Sequence, residues 1–493
     1  MSVTVNDDVL RHICDLLPPE DLKNASTVHH VFLDRWIREK YRRVDFTRSD
    51  KPSKRLWERV RNNQWIADVV TCIHMRPWLL KPQTQTYQSR TENALNMVAM
   101  WFDPDYTKKQ AKKRNEKRLK KDVNHVKLLF AALKNVQEYH IEWDKNPHYP
   151  TQLFQAFLDP LYSWRDTLTT LSIHIPVDLL NCFVTATLPH LRNIDITLSS
   201  GKMSQRRIDI HLDGFLVFLH NLKDTLRSLF IKTSPSSENL ELSRFYRYLG
   251  TFPHLRSIGL MIPFDGAQLP DPQPFIKFVH KHSRTLESLS LQTARCAAHA
   301  GRLAPECFNW IQAIIASVQE PFPELENVAI ALRPLRAPLD LITHFLRLHA
   351  PTLRSVALTD RMLEWGDVYN QILPALCSDS PLNLPPIPLR TLQMRVDAVT
   401  PWILRGFATK LPHLRHLKLE LADRARMTGY TDDLPKYRND LVNVYNFDGA
   451  HWALERLDIT PGPDGAWITA MKEVLPQRIP SLHMIQPLET SVH

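Results

Sequence analysis

The residue types that carry out catalysis are present in this chain, but their spacing completes no catalytic motif. Gly201-Lys202-Met203-Ser204 is similar to part of a phosphate-binding loop, yet Ile196 occupies the position where that loop needs its first glycine. Neither H-E-x-x-H nor G-x-S-x-G occurs in the sequence. We therefore predict no catalytic residues, and an enzyme whose active site is assembled from distant residues is the least favoured alternative.

The histidines and cysteines lack the spacing of metal ligands. His280 and His282 are two residues apart without an acidic or cysteine partner beside them, so we expect both at the surface. Cys14 lies among apolar residues of a predicted helix, where we expect it to be buried rather than nucleophilic. The cysteines form no C-x-x-C pair, which is typical of reduced thiols in cytosol or nucleus rather than of a disulfide framework or zinc site. They are Cys14, Cys72, Cys182, Cys296, Cys307 and Cys377. We predict no metal and no cofactor.

Most of the formal charge is concentrated in one segment. Residues 107–121 hold nine Lys or Arg and one acidic residue, a net +8 of the chain's +10, so the remainder carries +2. That remainder is not a basic nucleic-acid surface, and the segment has no interleaved aromatics on which bases could stack. The run 108–121 is interpreted as a nuclear-import signal or a contact to an anionic surface, or else as a solvated loop or helix.

The composition favours a core built from helices and short strands. Hydrophobic residues make up 43% of the 493 residues, and there are 36 prolines against 12 glycines. No apolar run approaches the ~18 residues that cross a bilayer. Asn6-Asp7-Asp8 stands where a secretory signal would begin with basic residues. We therefore expect a location in the cytoplasm, the nucleus or both, and no membrane partner.

Residues 5–46 predict three short helices joined by tight turns. Asn6 can cap the first helix, and Asp7 and Asp8 in its first turn complement the helix dipole. Pro18-Pro19 ends that helix, and Asp21 can begin the second. Such a small unit buries little on its own and usually needs a partner. Its apolar residues are Val9, Leu10, Ile13, Leu16 and Leu17 on the first helix and Val28, Phe32, Trp36 and Ile37 on the third.

The order of these residues resembles the F-box. The matching residues are Asp8-Val9-Leu10, Ile13-Cys14, Leu17-Pro18, Asp21-Leu22, Val28 and Phe32, and Tyr41-Arg42-Arg43-Val44-Asp45-Phe46 is similar to the strand-like ending of many fungal F-box proteins. The family usually opens with Leu-Pro, where this chain has Val5-Asn6, and usually has Trp where Phe32 stands. The resemblance implies binding to a Skp-type adaptor of a cullin–RING ubiquitin ligase through Val9, Leu10, Ile13, Leu17, Pro18 and Leu22. The alternative is an ordinary helical cap on the rest of the chain.

From about residue 65 the pattern L-x-x-L-x-L recurs. A weak first copy is Val70/Ile73/Met75. The later copies are Val136/Tyr139/Ile141, Leu168/Leu171/Ile173, Leu191/Ile194/Ile196, Leu226/Leu229/Ile231, Leu255/Ile258/Leu260, Leu286/Leu289/Leu291, Leu325/Val328/Ile330, Leu353/Val356/Leu358, Leu389/Leu392/Met394, Leu414/Leu417/Leu419, Leu454/Leu457/Ile459 and Ile479/Leu482/Met484. Eleven intervals from Val136 to Ile479 give about 31 residues per repeat. The residues before each copy tend to alternate between Thr-Leu and Pro-x-Leu.

This repeat predicts an α/β solenoid in which each unit has one short strand and one helix. Predicted helices between the copies are 123–133, 177–187, 212–222, 272–282, 305–318, 338–349 and 399–410. The pattern resembles the leucine-rich repeat family, but Pro176, Ser199 and Pro263 stand where that family has Asn or Cys. The resemblance implies a parallel sheet backed by helices. We predict an F-box-like domain over 1–46, an irregular solenoid over 47–485 with a basic insertion at about 103–122, and a tail over 486–493.

Strand alternation predicts which side chains face away from the core. If Leu289 and Leu291 point inward, Gln292 and its equivalents point outward. The outward residues that we predict to bind a target are Phe230, Met261, Gln292, Arg395, His416, Lys418 and Glu420. The middle of this face is small and apolar and its C-terminal third is charged, which suits a protein or peptide partner. The alternative is that its small residues only permit the sheet to curve.

Together these expectations describe a non-catalytic subunit that recognises substrates for a Skp–cullin–F-box ubiquitin ligase. The N-terminal helices would bind the adaptor, and the solenoid would bind a protein target. The alternative is a protein-interaction scaffold with a degenerate F-box and no ligase role.

Overall fold

A computed structural model describes residues 6–48, 50–76, 106–143, 151–234, 237, 239–294, 310–333, 339–377, 389–397, 399–421, 434–444, 451–460 and 465–487. The chain divides into two compact units, Met1–Ser199 with Val217–Leu226, and Ser200–Leu216 with Arg227–His493. Several sequence-based expectations lie outside the described residues: those on Val5, residues 103–105, Cys296, Cys307, the helix starts at 305 and 338, and residues 488–493.

The described residues contain fourteen strands, and within each unit the strands that are neighbours in chain order pair in parallel. In the first unit these are β1 (Arg43–Phe46), β2 (Cys72–Met75), β3 (Glu138–Glu142), β4 (Thr170–Pro176) and β5 (Asn193–Ser199). In the second unit they are β6 (Ser228–Thr233), β7 (Ser257–Pro263), β8 (Ser288–Ala294), β9 (Asn327–Ala331), β10 (Ser355–Leu363), β11 (Thr391–Val396), β12 (His416–Leu421), β13 (Arg456–Thr460) and β14 (Met484–Pro487).

Helices alternate with these strands. The chain begins with α1 (Asp7–Leu16), α2 (Pro19–Ala25), α3 (His30–Tyr41), α4 (Lys51–Asn62) and α5 (Gln64–Val69). The later helices are Tyr106–Ala132, Thr151–Leu158, Pro160–Ser163, Gln205–Asn221, Ser243–Tyr248, Gln273–Lys281, Trp310–Ser317, Asp340–His349, Trp365–Asp367, Leu373–Leu376, Pro401–Lys410, Leu434–Val444 and Gly465–Arg478, with a 3₁₀ helix at Val177–Phe183 and a π-helix at Val368–Ile372. The predicted α/β class and the solenoid-like arrangement of parallel strands and helices are thereby confirmed.

The repeating apolar residues form the core of each unit. In the second unit Leu392, Leu417 and Leu457 are register partners on consecutive strands, and all three are fully buried. Each such side chain contributes about 1.5–3 kcal/mol on full burial. No single repeat can enclose these residues, so the stacking of neighbours is what removes them from water.

The last copy of the repeat is shifted from the predicted register. Ile485, not Leu482, pairs with Leu457, and Met484 is 40% exposed. The apolar Ile479 matches the repeat spacing in the sequence, but it directly follows helix Gly465–Arg478. Strand β14 begins only at Met484, so Ile479 lies too far before the strand to be the first residue of the repeat. Leu482 and Ile485 therefore replace Ile479 and Leu482 in the repeat.

Threonine hydroxyls connect successive repeats. Thr167 Oγ1 donates to the Val136 carbonyl at 2.8 Å, Thr285 Oγ1 to the Leu255 carbonyl at 2.8 Å and Thr352 Oγ1 to the Leu325 carbonyl at 2.7 Å. In each case the acceptor belongs to the first apolar residue of the preceding repeat, whose carbonyl needs a partner inside the core. This accounts for the Thr-Leu lead-in of these three repeats, whereas Thr225 Oγ1 donates to the Leu222 carbonyl of its own turn.

Two buried histidines act in the same repeats. His282 Nε2 accepts the Phe252 N–H at 3.0 Å, and its Nδ1 donates to the Phe278 carbonyl at 2.8 Å. His349 bonds to the Phe322 N–H and the Phe345 carbonyl in the same way. The expectation that His282 lies at the surface is wrong, whereas His280 is exposed. Phe252 and Phe322 each precede the proline of a Pro-x-Leu lead-in, so the histidine of a Thr-Leu repeat binds the Pro-x-Leu repeat before it.

The basic segment lies on the 27-residue helix Tyr106–Ala132, which we call the basic helix. Its described side chains from 112 to 117 are exposed, whereas Val126, Leu129 and Phe130 near its end are buried. The segment is therefore helical rather than a loop. Within the described residues, none of the helices has the length and apolar character needed to cross a bilayer.

Candidate binding surfaces

Helix α1 carries apolar side chains on two sides. Leu10 and Cys14, four residues apart, are buried and join Leu22 of α2 and Val31 and Phe32 of α3 in one core cluster. Burial raises the pKa of the Cys14 thiol, as expected of a core residue. The Asn6 side chain accepts the Asp8 N–H at 3.1 Å, which fixes the predicted start of the helix.

The other side of α1 faces solvent. Val9, Ile13 and Leu16 are 51%, 39% and 77% exposed, and their spacing of four and three residues places them on one side of the helix. Val28, just before α3, is also 77% exposed. These three helices have a core of their own and still expose these apolar side chains, which is typical of a surface that binds a partner.

The predicted adaptor contacts divide between this surface and the core. Val9, Ile13 and Pro18 are exposed, and Leu17 is half-buried against the core cluster. Leu10 and Leu22 are buried inside the domain, so they hold its helices together and are not accessible to a partner in this structure. Leu16 and Val28 are exposed although they are absent from the predicted contact set, because the spacing of the motif does not indicate which side its own helices cover.

All seven predicted target-binding residues lie on the outward side of the second unit's strands. Each is half-buried; six of them stand between buried neighbours on their strand, and His416 begins β12 just before the buried Leu417. The strand alternation assumed from the sequence therefore places them correctly on this face. The residues are Phe230 on β6, Met261 on β7, Gln292 on β8, Arg395 on β11 and His416, Lys418 and Glu420 on β12.

The apolar part of this face is organised around Phe230. A Cβ atom added to Gly259 would lie 2.1 Å from Phe230 Cδ2, so only glycine lets the ring lie across β7. The Lys232 Nζ lies 4.6 Å from the centre of the same ring. Gly259 thus has a specific packing role here, beyond allowing the sheet to curve.

A polar bond and a backbone irregularity lie on the strands that follow. Thr359 Oγ1 of β10 donates to Gln292 Oε1 of β8 at 3.0 Å, bridging over the intervening β9. Asp360 has φ of 66°, and the register of β10 shifts between Leu358 and Leu363. Bulges of this kind redirect side chains on a sheet. Gln292 is therefore held by a threonine that lies next to the irregularity in β10.

The charged part of the face forms ion pairs within itself. Asp458 of β13, whose side chain is 3% exposed, lies 2.9 Å from His416 Nε2 and 2.9 Å from Arg456 Nε. The hydrogen bond to Asp458 raises the pKa of Arg456. Glu420 accepts from Gln393 Nε2 at 2.7 Å and lies 3.7 Å from Lys418 Nζ. The acidic side chains Asp458 and Glu420 are thus paired with donors of the same face, which gives this patch an ordered set of hydrogen-bond donors and acceptors.

On the first unit, three side chains with metal-ligating atoms meet on the outward face of β2 and β3. Cys72 pairs in register with Glu138, and His74 pairs with His140. The Sγ of Cys72, a carboxylate oxygen of Glu138 and a ring nitrogen of His140 lie within 4.8 Å of one another. Neighbouring Glu142 is already engaged, since it lies 2.9 Å from His74 Nε2 and also pairs with Arg76.

The electrostatics of this cluster follow from burial. Burial, together with the nearby Glu138 carboxylate, raises the pKa of the Cys72 thiol to about 11. Burial lowers the pKa of His140, as does the adjacent His74 ring. The hydrogen bond with His74 lowers the pKa of Glu142. At neutral pH the cluster therefore holds Cys72 as a thiol and His140 as a neutral imidazole.

Sequence spacing did not reveal this cluster, because Cys72 is 66 residues from Glu138. A signal was present in the repeats: Cys72 and His74 follow Val70 at the same spacing at which Glu138 and His140 follow Val136. Aligning the first two copies places the four side chains on one face.

Comparison with models of known protein families gives no match for this chain, and a search among curated proteins also finds none.

Proposed function

We propose that this protein is a non-catalytic substrate-recognition subunit of a Skp–cullin–F-box ubiquitin ligase. The observation that carries the proposal is the exposed apolar side of α1, formed by Val9, Ile13 and Leu16. In this proposal these three side chains, with Pro18 and Leu17 beside them, bind the adaptor. Leu10 and Leu22 support them from the core cluster.

The size of the surface suits an adaptor contact. Full burial of one fully exposed side chain contributes about 1.5–3 kcal/mol; Val9, Ile13 and Leu16 are 51%, 39% and 77% exposed, so covering the rest of the three contributes roughly half of that each, a part of a micromolar binding free energy of about 8 kcal/mol. Interfaces of this kind also lose entropy on association, and further contacts must offset that loss.

The alternative of a simple helical cap is less well supported. Strand β1 follows α3 directly and pairs with β2, as a cap on a solenoid would require. Capping units, however, present a polar outer surface to water. Val9, Ile13 and Leu16 contradict that requirement, which favours a partner on this side of α1.

The second unit would bind the target through its outward strand face. Phe230 and Met261 offer an apolar centre, and Gln292, Arg395, His416, Lys418 and Glu420 offer polar contacts around it. The mechanism would be proximity, since holding a target and the ubiquitin-transfer machinery on one chain raises their effective concentration.

The test is co-purification of the full chain with a Skp-type adaptor. We expect the wild type to bind and the double variant Val9→Asp, Ile13→Asp to lose binding, because two carboxylates would be buried without partners. The matched control is Ile210→Asp, which changes an isoleucine of the second unit that is 58% exposed. Circular dichroism of each variant verifies folding.

Two results would oppose the proposal. Failure of the folded wild type to bind the adaptor would leave the scaffold alternative, in which the solenoid binds targets without a ligase. Equal adaptor binding by the wild type and the α1 double variant would show that the exposed apolar side of α1 is not the contact.

A further inference from the structure

The outward face of β2 and β3 brings together three side chains of different ligand chemistry. Cys72 offers a sulfur, His140 an imidazole nitrogen and Glu138 a carboxylate oxygen, and their ligating atoms lie within 4.8 Å of one another. We propose that Cys72, Glu138 and His140 form a binding site for a divalent transition-metal ion, of which zinc is the best match. This site is independent of adaptor binding.

The donor set selects the class of metal. Magnesium and calcium prefer oxygen ligands only, so a sulfur and an imidazole argue against both. Zinc accepts sulfur, nitrogen and carboxylate oxygen together. Three protein ligands with a fourth position left for water or another molecule is the arrangement of zinc sites that exchange ligands, whereas structural sites are closed by four protein ligands.

The sheet holds the three residues near the required separation. Ligands around a tetrahedral zinc lie about 3–4 Å apart, given metal–ligand distances of about 2.0–2.3 Å. The backbone positions are fixed, because Cys72 and Glu138 are register partners and Ile73 and Tyr139 beside them are fully buried. The ligating atoms, which lie within 4.8 Å of one another, need to approach by no more than about 2 Å to reach this separation.

Accessibility and neighbouring contacts also fit. Cys72 is buried, while the His140 and Glu138 side chains are 25% and 48% exposed, so an ion can enter from the solvent side. Glu142 is already paired with His74 and Arg76. Glu138 is therefore the carboxylate that we assign as the metal ligand beside the thiol. Arg43 of β1 is the register partner of Cys72 on the other side, and its charge only partly offsets the effect of burial and Glu138 on the Cys72 pKa, so a metal ion must displace the thiol proton as it binds.

The second group with suitable atoms among the described residues is Asp7, His29 and His30 in the N-terminal helices. It contains no sulfur. A spectroscopic signal that requires a thiolate therefore distinguishes the Cys72 site from this group.

The experiment is titration of the metal-free full chain with Co²⁺, followed by absorption spectroscopy, and then competition with Zn²⁺. We expect a thiolate-to-cobalt charge-transfer band that saturates at one equivalent and is abolished by zinc. The substitution Cys72→Ser should remove the band, and His140→Ala should weaken binding at least tenfold, whereas Asp7→Asn should leave the band unchanged.

The matched control is Cys182→Ser, because Cys182 is a free cysteine of the same unit that lies outside the cluster. Circular dichroism shows whether each variant keeps the wild-type fold, and Glu138→Gln provides a second variant that removes a ligand charge at an exposed side chain. Absence of the band in the folded wild type would overturn the proposal. Persistence of the band in folded Cys72→Ser, or its loss in Cys182→Ser, would do the same.

Discussion

Helix α1 and the strands of the second unit use the same apolar residue types in opposite ways. In β12, Leu417 and Leu419 are fully buried, whereas Val9, Ile13 and Leu16 on α1 remain in contact with solvent. The strand leucines are covered completely by the neighbouring repeats, whereas the described part of the chain leaves 51%, 39% and 77% of Val9, Ile13 and Leu16 exposed. The difference indicates that the repeat leucines are needed for folding and that the exposed side of α1 is available for a partner.

The largest effect on stability is expected within the repeats. Leu417→Ala removes a fully buried side chain between Leu392 and Leu457, its register partners on the adjacent strands. We expect the free energy of unfolding to fall by about 2–5 kcal/mol, from the lost transfer free energy and the cavity left behind. Urea denaturation measures the change. Lys418→Ala, one residue away on the outward side, is the control and should change stability by about 0.5 kcal/mol or less. Similar losses in both variants would contradict the assignment of inward and outward sides.

A smaller loss is expected for a buried polar contact between repeats. His282→Leu leaves the Phe252 N–H buried without its acceptor and the Phe278 carbonyl without its donor. We expect a cost of about 1–3 kcal/mol, the typical penalty for an unsatisfied buried group. The control His280→Leu lies two residues away and is exposed, where its ring contacts only the Ser317 hydroxyl in the hydrogen bonds described. If His280→Leu were the more damaging change, the assignment of His282 as the buried link between repeats would be wrong.

Acid should weaken the same contact in the unmodified protein. Burial lowers the pKa of both His282 and His349 in the folded chain. The unfolded chain therefore takes up protons first, from about pH 6.5 downward, and stability that is complete above that pH is lost as the pH falls through the lower folded pKa. Denaturation midpoints between pH 7.5 and 5.5 measure this loss. Removing one of the two histidines, as in His282→Leu, should make the dependence shallower; an unchanged slope would show that other groups cause it.

The sequence patterns predicted those structural features that are determined by residues close together in the chain. The spacing L-x-x-L-x-L predicted the core residues of β3 to β13, because strand alternation is local. Features that depend on distant residues were missed. The burial of His282 depends on Phe252, thirty residues earlier, and the Cys72 cluster depends on the register between two repeats. The compensation of His416 by Asp458 depends likewise on the alignment of β12 with β13.

The smallest effect on stability is expected on the exposed side of α1. Leu16 is 77% exposed, so Leu16→Ser returns little additional apolar surface to water, and we expect a change of about 0.5 kcal/mol or less. Leu10→Ala on the same helix empties part of the core cluster and should cost about 2–5 kcal/mol, unless α1 can shift to close the cavity. Hydrogen exchange of the α1 amides measures the local stability of both variants. Denaturation of the whole chain would not detect a loss of stability that is confined to the three N-terminal helices. Faster exchange in Leu10→Ala with unchanged exchange in Leu16→Ser is the expected result. Comparable losses in the two variants would mean that the chain itself covers Leu16, and the apolar side of α1 would then no longer be free for an adaptor.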